Sequence, residues 1–442
     1  MKAVLCALAI FIVALGCGYY RFHATNLLVE RSPTLPPDSQ EIKEKNIQIS
    51  KISTKPSIYS VSKRIHIALG YGFSNTILLL GDDGYVIIDS SRSEESAQTV
   101  KKDFESLTKG LPLKAVICSL NYNENCFGSK VFTEGHSEVQ IWGRKLKKGL
   151  TRQYREFDEE LSETPNLRVH VDHELPIPSA ANIFSGTSMD LYVAGLSLRL
   201  MHVPGQIEDQ TVVWYAEEKA LLSADVFDTQ FQHHFAIRGT PARDTLKWIQ
   251  GLDAVRALRS EILLPSHSRP LFGAEYILNT LTIYRDALQS IHDQTIQKLN
   301  ENYSIDDIAE RIYLPARVRN NEFMKELVAT IPWFVRDVAT FYVGFFNGVP
   351  VDLFPLSPAE NAKEFIDLGG GFEAALQKAM AAYDDNRLQW AFELTSNLRE
   401  LEPNNPTVRD LYLNIVRAKV NTEPSNNGKH FYSTYLKSIE TQ

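Results

Sequence analysis

The spacing of apolar and polar positions changes character near residue 275 of this 442-residue chain. Before that point, short apolar runs alternate with turn residues and predict strands. Asn75-Thr76-Ile77-Leu78-Leu79-Leu80 and Tyr85-Val86-Ile87-Ile88-Asp89 flank Gly81-Asp82-Asp83-Gly84, turn chemistry that predicts a hairpin. An amphipathic helix is expected over 93–108 and a buried strand over Leu113–Cys118, with further strands at Leu191–Met201, Gln210–Tyr215 and Ala220–Leu222. Strands alternating with helices predict an α/β sandwich with the sheets inside. After residue 275 the period becomes helical. Ile277–Leu299 and Ile305–Ile312 read as helices, and Phe323–Phe346 gives further helical stretches. In 372–417, Ala375, Ala379, Ala382 and Tyr383, then Trp390, Ala391, Leu394 and Leu398, have the spacing of a tetratricopeptide-like helical hairpin.

The N-terminus follows a different rule. Ala3–Tyr20 is uncharged and apolar between Lys2 and Arg21, long enough for a signal anchor or a cleaved signal peptide. Either places the body of the chain outside the cytosol, membrane-anchored or secreted. Residues 22–50, with Ser32-Pro33-Thr34-Leu35-Pro36-Pro37, read as a linker. The expected division is 1–21 signal segment, 22–50 linker, 51–275 sandwich domain and 276–435 helical domain.

A hydrophobic content of 44% and a charged content of 23% suit a globular protein with a real core. A net charge of −8, with no basic run standing out beyond Arg144-Lys145-Leu146-Lys147-Lys148, argues against a nucleic-acid partner. Of four cysteines, Cys6 and Cys17 lie in the apolar segment, and Cys118 and Cys126 lie in the body. The latter two would pair in an oxidising compartment or remain separate buried thiols; their spacing leaves both open. The chain has no Gly-x-Ser-x-Gly elbow, phosphate loop or dinucleotide fingerprint.

Several longer stretches carry a resemblance. Ile291-His292-Asp293-Gln294-Thr295, Ile308-Ala309-Glu310-Arg311-Ile312, Tyr342-Val343-Gly344-Phe345-Phe346-Asn347-Gly348 leading to Leu356-Ser357-Pro358, and Arg238-Gly239 with Arg243-Asp244 are together similar to the alkyl sulfatase branch of the metallo-β-lactamase superfamily. The resemblance runs from about residue 60 to about 435. It implies an αββα sandwich followed by an all-α dimerisation domain, hence a homodimer paired through its helices. It also implies hydrolysis of alkyl sulfate esters by zinc-activated water, with an alkyl sulfate or another amphiphilic small molecule as ligand.

In that family two zinc ions lower the pKa of a bound water and polarise the ester. A His-x-His-x-Asp-His loop after a buried strand supplies most of the ligands. Here the strand Lys114-Ala115-Val116-Ile117 is followed by a loop without histidine. Anchored on Phe127-Gly128, the ligand positions become Asn121, Asn123, Asn125 and Cys126; anchored on the strand, the register moves by one residue. Asparagine offers a neutral carbonyl oxygen, a weak zinc ligand. The family's Thr-Pro-Gly-Thr-Glu turn appears as Val203-Pro204-Gly205-Gln206-Ile207-Glu208, where Glu208 reaches the site only through a slip of the loop. Asp225 matches a metal-bridging glutamate, and Ser266-His267 matches the pair supplying the last ligand. Gln232 and His233 stand where the family holds the sulfate with a His-Asn pair, and Arg238 would grip sulfate oxygens bidentately. The alternative for Asp225 is a turn or cap residue, for His267 a satisfied loop histidine, and for Arg238 a structural ion pair.

Three functions remain: a metal-dependent sulfuric ester hydrolase; a non-catalytic homologue, or pseudoenzyme, kept as a dimeric binding or assembly module; and a hydrolase with a single metal held by Asp225, His267 and Cys126. The exchange of ligands favours the second.

Overall fold

The computed structural model describes residues 37–51, 55–72, 74–91, 93–120, 126–136, 138–144, 182–206, 210–231 and 243–440. The apolar segment 1–21 lies outside them, as do Cys6, Cys17 and residues 145–148 of the basic run. Among the described residues no helix is long and apolar enough to cross a membrane.

Two sheets form the centre. One has seven strands in sequence order: β1 (Ser57–Ser60), β2 (Ile65–Leu69), β3 (Thr76–Leu80), β4 (Tyr85–Ile88), β5 (Leu113–Ile117), β6 (Gln140–Gly143) and β7 (Asn182–Ile183). β1 to β4 are antiparallel, and β4 to β7 run parallel. The other sheet has six: β8 (Ser188–Val193), β9 (Leu196–His202), β10 (Thr211–Tyr215), β11 (Ala220–Ala224), β12 (Ile262–Pro265) and β13 (Leu271–Phe272). In it β11 and β12 are the parallel pair. Parallel neighbours need a crossover. Helix Glu94–Thr108 connects β4 to β5, and helix Thr245–Ala257 connects β11 to β12.

Three apolar cores fix the layers. Ile67, Ile77, Ile88 and Ile117 of the first sheet meet Leu198, Val213, Leu222 and Leu264 of the second between the sheets. The alternate residues Leu78, Ile87 and Val116 face outward onto Ala97, Val100 and Phe104 of helix Glu94–Thr108. Period-two alternation sends one set inward and the other outward. The outer face of the second sheet packs on Trp248, Leu252 and the long helix Ala274–Asn300. This is the expected αββα sandwich. Burying one such Ile or Leu contributes about 1.5–3 kcal/mol relative to exposure.

The helical part follows as Ile305–Arg311, Ala316–Arg319, Ile331–Val343, Pro358–Leu368, Phe372–Asp384, Leu388–Leu401, Pro406–Thr422 and Asn426–Glu440. The helices over 372–422 pack around Ala379, Ala391, Leu398 and Ile415. They form three packed helices, and the tetratricopeptide-like reading rests on residue spacing alone. The outer core of the second sheet continues through Ile291, Ile308, Phe334 and Val338. The boundary near 275 is thus a change of secondary structure within one continuous core.

Two expectations are corrected. The stretch Leu191–Met201 is two strands: Ala194 (φ 55°) and Gly195 (φ 73°) are left-handed and turn β8 back onto β9. Alternating apolar residues on both arms hid the turn. The linker contains helix Gln40–Ile49, capped by Ser39, with Ile49 buried. Asn46 exchanges two hydrogen bonds with the Phe272 backbone, at 2.7 and 3.0 Å. Asp38 accepts from the Tyr276 amide at 2.8 Å, satisfying an open donor at the start of helix Ala274–Asn300.

Candidate metal centre

The C-terminal ends of β4, β5, β11 and β12 meet at one rim of the sandwich, where loops from parallel strands are free to converge. Two hydrogen bonds stitch the sheets together there. The Thr211 amide donates to the Ser119 carbonyl at 2.7 Å, and the Asn75 amide donates to the Ser266 carbonyl at 2.6 Å.

From the first sheet, Asp89 follows β4 in a left-handed conformation (φ 55°), which aspartate tolerates better than most residues. It is buried, and its two oxygens accept from the Ser119 amide at 2.8 Å and the Ser119 hydroxyl at 2.7 Å. This clamp fixes the start of the loop after β5. Cys118 is bonded to Cys126, with Cα atoms 5.6 Å apart, and both are buried. A disulfide sulfur has no thiolate to give a metal, which corrects the placing of Cys126 in a ligand set.

From the second sheet, Ala224 is left-handed (φ 49°) at a register shift between Leu222 and Ala224. The next residue, Asp225, is 2% exposed. Its amide donates to Gln210 Oε1 at 3.0 Å. His267 Nε2 lies 3.0 Å from Asp225 Oδ1, but off the axis a hydrogen bond requires, so Oδ1 has no hydrogen-bond partner. Gln210 Nε2 is likewise buried without one. Asn75 holds the histidine loop from the opposite sheet. Its side-chain amide donates to the carbonyls of Pro265 and Ser268 at 3.0 and 2.8 Å. The Val203-Pro204-Gly205 turn is pressed from behind by helix Thr245–Ala257. A Cβ on Gly251 would lie 1.6 Å from the Pro204 carbonyl oxygen, so only glycine fits.

The rim therefore brings Asp225 and His267 together and removes Cys126. Asn121, Asn123, Asn125, Glu208, His233 and Arg238 lie outside the described residues. Among the described residues no group of three or more His, Cys, Asp or Glu side chains is placed to hold a metal ion. A closed zinc site takes four ligands and a catalytic one three plus water. The described donors alone fall short of either, although Asp225 Oδ1, buried without a hydrogen bond beside His267, has the character of a ligand.

Sequence reasoning missed Asp89, Asn75 and Gln210. Asp89 was legible only as a carboxylate ending a strand, and Asn75 only as the start of an apolar run. Their partners lie 30 and 190 or more residues away, beyond any local pattern.

In the helical part, the His292 and Tyr342 rings pack edge to face. His292 Nδ1 is 2.9 Å from Asp293 Oδ1, and His292 Nε2 is 2.9 Å from the Tyr342 hydroxyl. Burial, then Asp244 and Asp293, pushes the Tyr342 hydroxyl pKa up. Burial pushes the Asp337 carboxyl up to about 8, opposed by Arg243.

Residues 304–442 match the family model described as alkyl sulfatase dimerisation. A linear primary-alkylsulfatase of a Pseudomonas species is 26% identical over 387 residues, which cover 81% of this chain and 72% of that protein. A second Pseudomonas linear primary-alkylsulfatase is 23% identical over 416 residues, covering 87% of this chain and 61% of its own length. The alkyl/aryl-sulfatase BDS1 of Saccharomyces cerevisiae is 23% identical over 384 residues, 80% of this chain and 59% of that protein. Among solved structures, the stereoselective inverting sec-alkylsulfatase Pisa1 of Pseudomonas has the same fold, with a TM-score of 0.75 at 18% identity over 87% of this chain and 65% of that one. The chain thus spans about three-fifths to seven-tenths of the length of these relatives.

Proposed function

We propose that this chain, which belongs to the alkyl sulfatase branch of the metallo-β-lactamase superfamily, keeps the fold and the pairing module without the two-zinc hydrolysis. One observation carries the reading. The loop after β5, where the resemblance places most zinc ligands, has no histidine, and its two soft donors, Cys118 and Cys126, are consumed in one disulfide. Loss of a single ligand damages a zinc site, and here several change together. The product is a homodimer joined through the helical domain, with a site suited to an amphiphilic small molecule such as an alkyl sulfate. The disulfide supports a location outside the cytosol, where such bonds persist. The N-terminal apolar segment is then the membrane anchor or export signal.

A second reading has its own support. Asp225 Oδ1 is buried without a hydrogen-bond partner beside His267. Buried orphan atoms call for a water or an ion. In this reading Asp225 and His267 hold a single cation, which supplies Lewis acidity to an ester.

The test is to purify the full chain, measure zinc by elemental analysis and follow sulfate release from an alkyl sulfate. Little zinc and no release is the expected outcome. One metal per chain that Asp225→Ala removes favours the single-cation reading. Two zinc ions per chain with turnover defeat both.

A further inference from the structure

The turn between helix Ala274–Asn300 and helix Ile305–Arg311 carries a motif that the rim does not use. Asn302-Tyr303-Ser304 is an Asn-x-Ser triplet, the acceptor sequence for an N-linked glycan in exported chains. The full sequence holds one other Asn-x-Ser/Thr triplet, Asn405-Pro406-Thr407, and the proline at its centre disqualifies it. Asn302 is therefore the single acceptor that the sequence offers.

The turn is built so that this asparagine faces solvent. Asn302 is exposed and left-handed (φ 61°), a conformation in which asparagine is enriched. The two residues after it are tied down. The Tyr303 amide donates to the Lys298 carbonyl at 3.1 Å, and Lys298 Nζ and the Arg311 guanidinium each lie 4.9 Å from the centre of the Tyr303 ring. The Ser304 hydroxyl caps the next helix, accepting from the Asp307 amide at 3.1 Å and donating to Asp307 Oδ2 at 2.7 Å. None of these contacts engages the Asn302 carboxamide, so a bulky solvated group attached there leaves the turn intact.

We infer that Asn302 is an N-glycosylation site, taking an oligosaccharide from a lipid-linked diphosphate donor through the oligosaccharyltransferase of a eukaryotic secretory pathway. In the transfer, Asn302 Nδ2 bonds to the anomeric carbon of the first sugar. The bond from that carbon to the diphosphate oxygen breaks, the lipid diphosphate leaves with the electron pair, and Nδ2 gives up one proton. The Ser304 hydroxyl serves twice, completing the acceptor triplet in the extended chain and capping a helix in the folded one. The inference rests on the location outside the cytosol proposed above and goes beyond it. Two observations favour that compartment: the Cys118–Cys126 disulfide and the apolar segment Ala3–Tyr20.

The experiment expresses the full chain in a eukaryotic secretory host beside two variants, Asn302→Gln and Ser106→Asn. Asn302→Gln removes the acceptor and keeps the Ser304 cap. Ser106 is exposed on helix Glu94–Thr108 and lies two residues before Thr108, so Ser106→Asn adds a second triplet that reports entry into the lumen. The parent should carry one glycan, seen as a single mobility step that peptide-N-glycosidase removes. Asn302→Gln should carry none and Ser106→Asn two. Glycosidase treatment of the parent in heavy-oxygen water should leave residue 302 as labelled aspartate in its peptide, a readout that needs no variant to fold. Ser106→Asn with one glycan and a parent with none overturns the Asn302 site while the location stands. No glycan on any of the three chains overturns the location and this site with it. A glycan retained by Asn302→Gln assigns the modification to another residue and overturns the proposal.

Discussion

His267 Nε2 stands 3.0 Å from Asp225 Oδ1 without the alignment of a hydrogen bond. The two atoms approach as donors to a common third body would, yet the described residues add no third ligand. On the proposed loss of the two-metal site, zinc should bind weakly. A ligand at 100 times its Kd raises stability by about 2.7 kcal/mol. Thermal unfolding with micromolar zinc, or with a chelator, should show no such change. A zinc-dependent rise of that size would contradict the proposed loss of the two-metal site.

The disulfide is expected to matter where metal does not. Cys118 and Cys126 close a short loop, and cross-links of this kind contribute about 2–4 kcal/mol, mainly by restricting the unfolded chain. The double variant Cys118→Ala/Cys126→Ala should lose that amount in urea unfolding, and the parent chain should lose it on reduction. Equal stability of the two chains would mean the bond contributes little.

Asn75 gives a sharper test of the rim. Its side chain satisfies the carbonyls of Pro265 and Ser268, and its backbone satisfies Ser266. Asn75→Ala leaves one buried and one part-buried acceptor short of a donor and should cost about 1–3 kcal/mol. The His267 imidazole should gain freedom, visible as a narrower, shifted ring resonance in NMR.

Asp337 predicts a pH dependence. Burial raises its carboxyl from 3.8 to about 8 in the folded chain, with Arg243 opposing. Between those values the folded chain holds a proton that the unfolded chain releases. Stability is therefore fully supported below the unfolded value and erodes as pH rises toward 8. Asp337→Asn should flatten that slope and make the variant the more stable of the two at pH 8. Parallel stability curves for the two chains from pH 5 to 8 would remove Asp337 as the cause.

Much of the sandwich was legible because its strands state their burial locally. Ile77, Leu78 and Leu79, set against Val86, Ile87 and Ile88 across Asp82-Asp83, admit one pairing. Helix Glu94–Thr108 announces itself with Ser93 as cap and Ala97, Val100 and Phe104 on one face. The rim was legible only in part. Asp225 and His267 could be placed by resemblance, but their spacing in space depends on Ala224 adopting a left-handed turn. Helix Gln40–Ile49 was missed because one side of it is polar and a single buried residue, Ile49, anchors its end. The pairing of Cys118 with Cys126 follows from the loop fold, which an eight-residue separation does not dictate.

The two sheets are tied at the rim by main-chain bonds, Thr211 to Ser119 and Asn75 to Ser266. Backbone amides and carbonyls are common to nearly every residue type. The frame that presents the loops therefore persists whichever side chains the loops carry, and an ancestral chemistry can be erased there, or another installed, while the architecture is inherited intact.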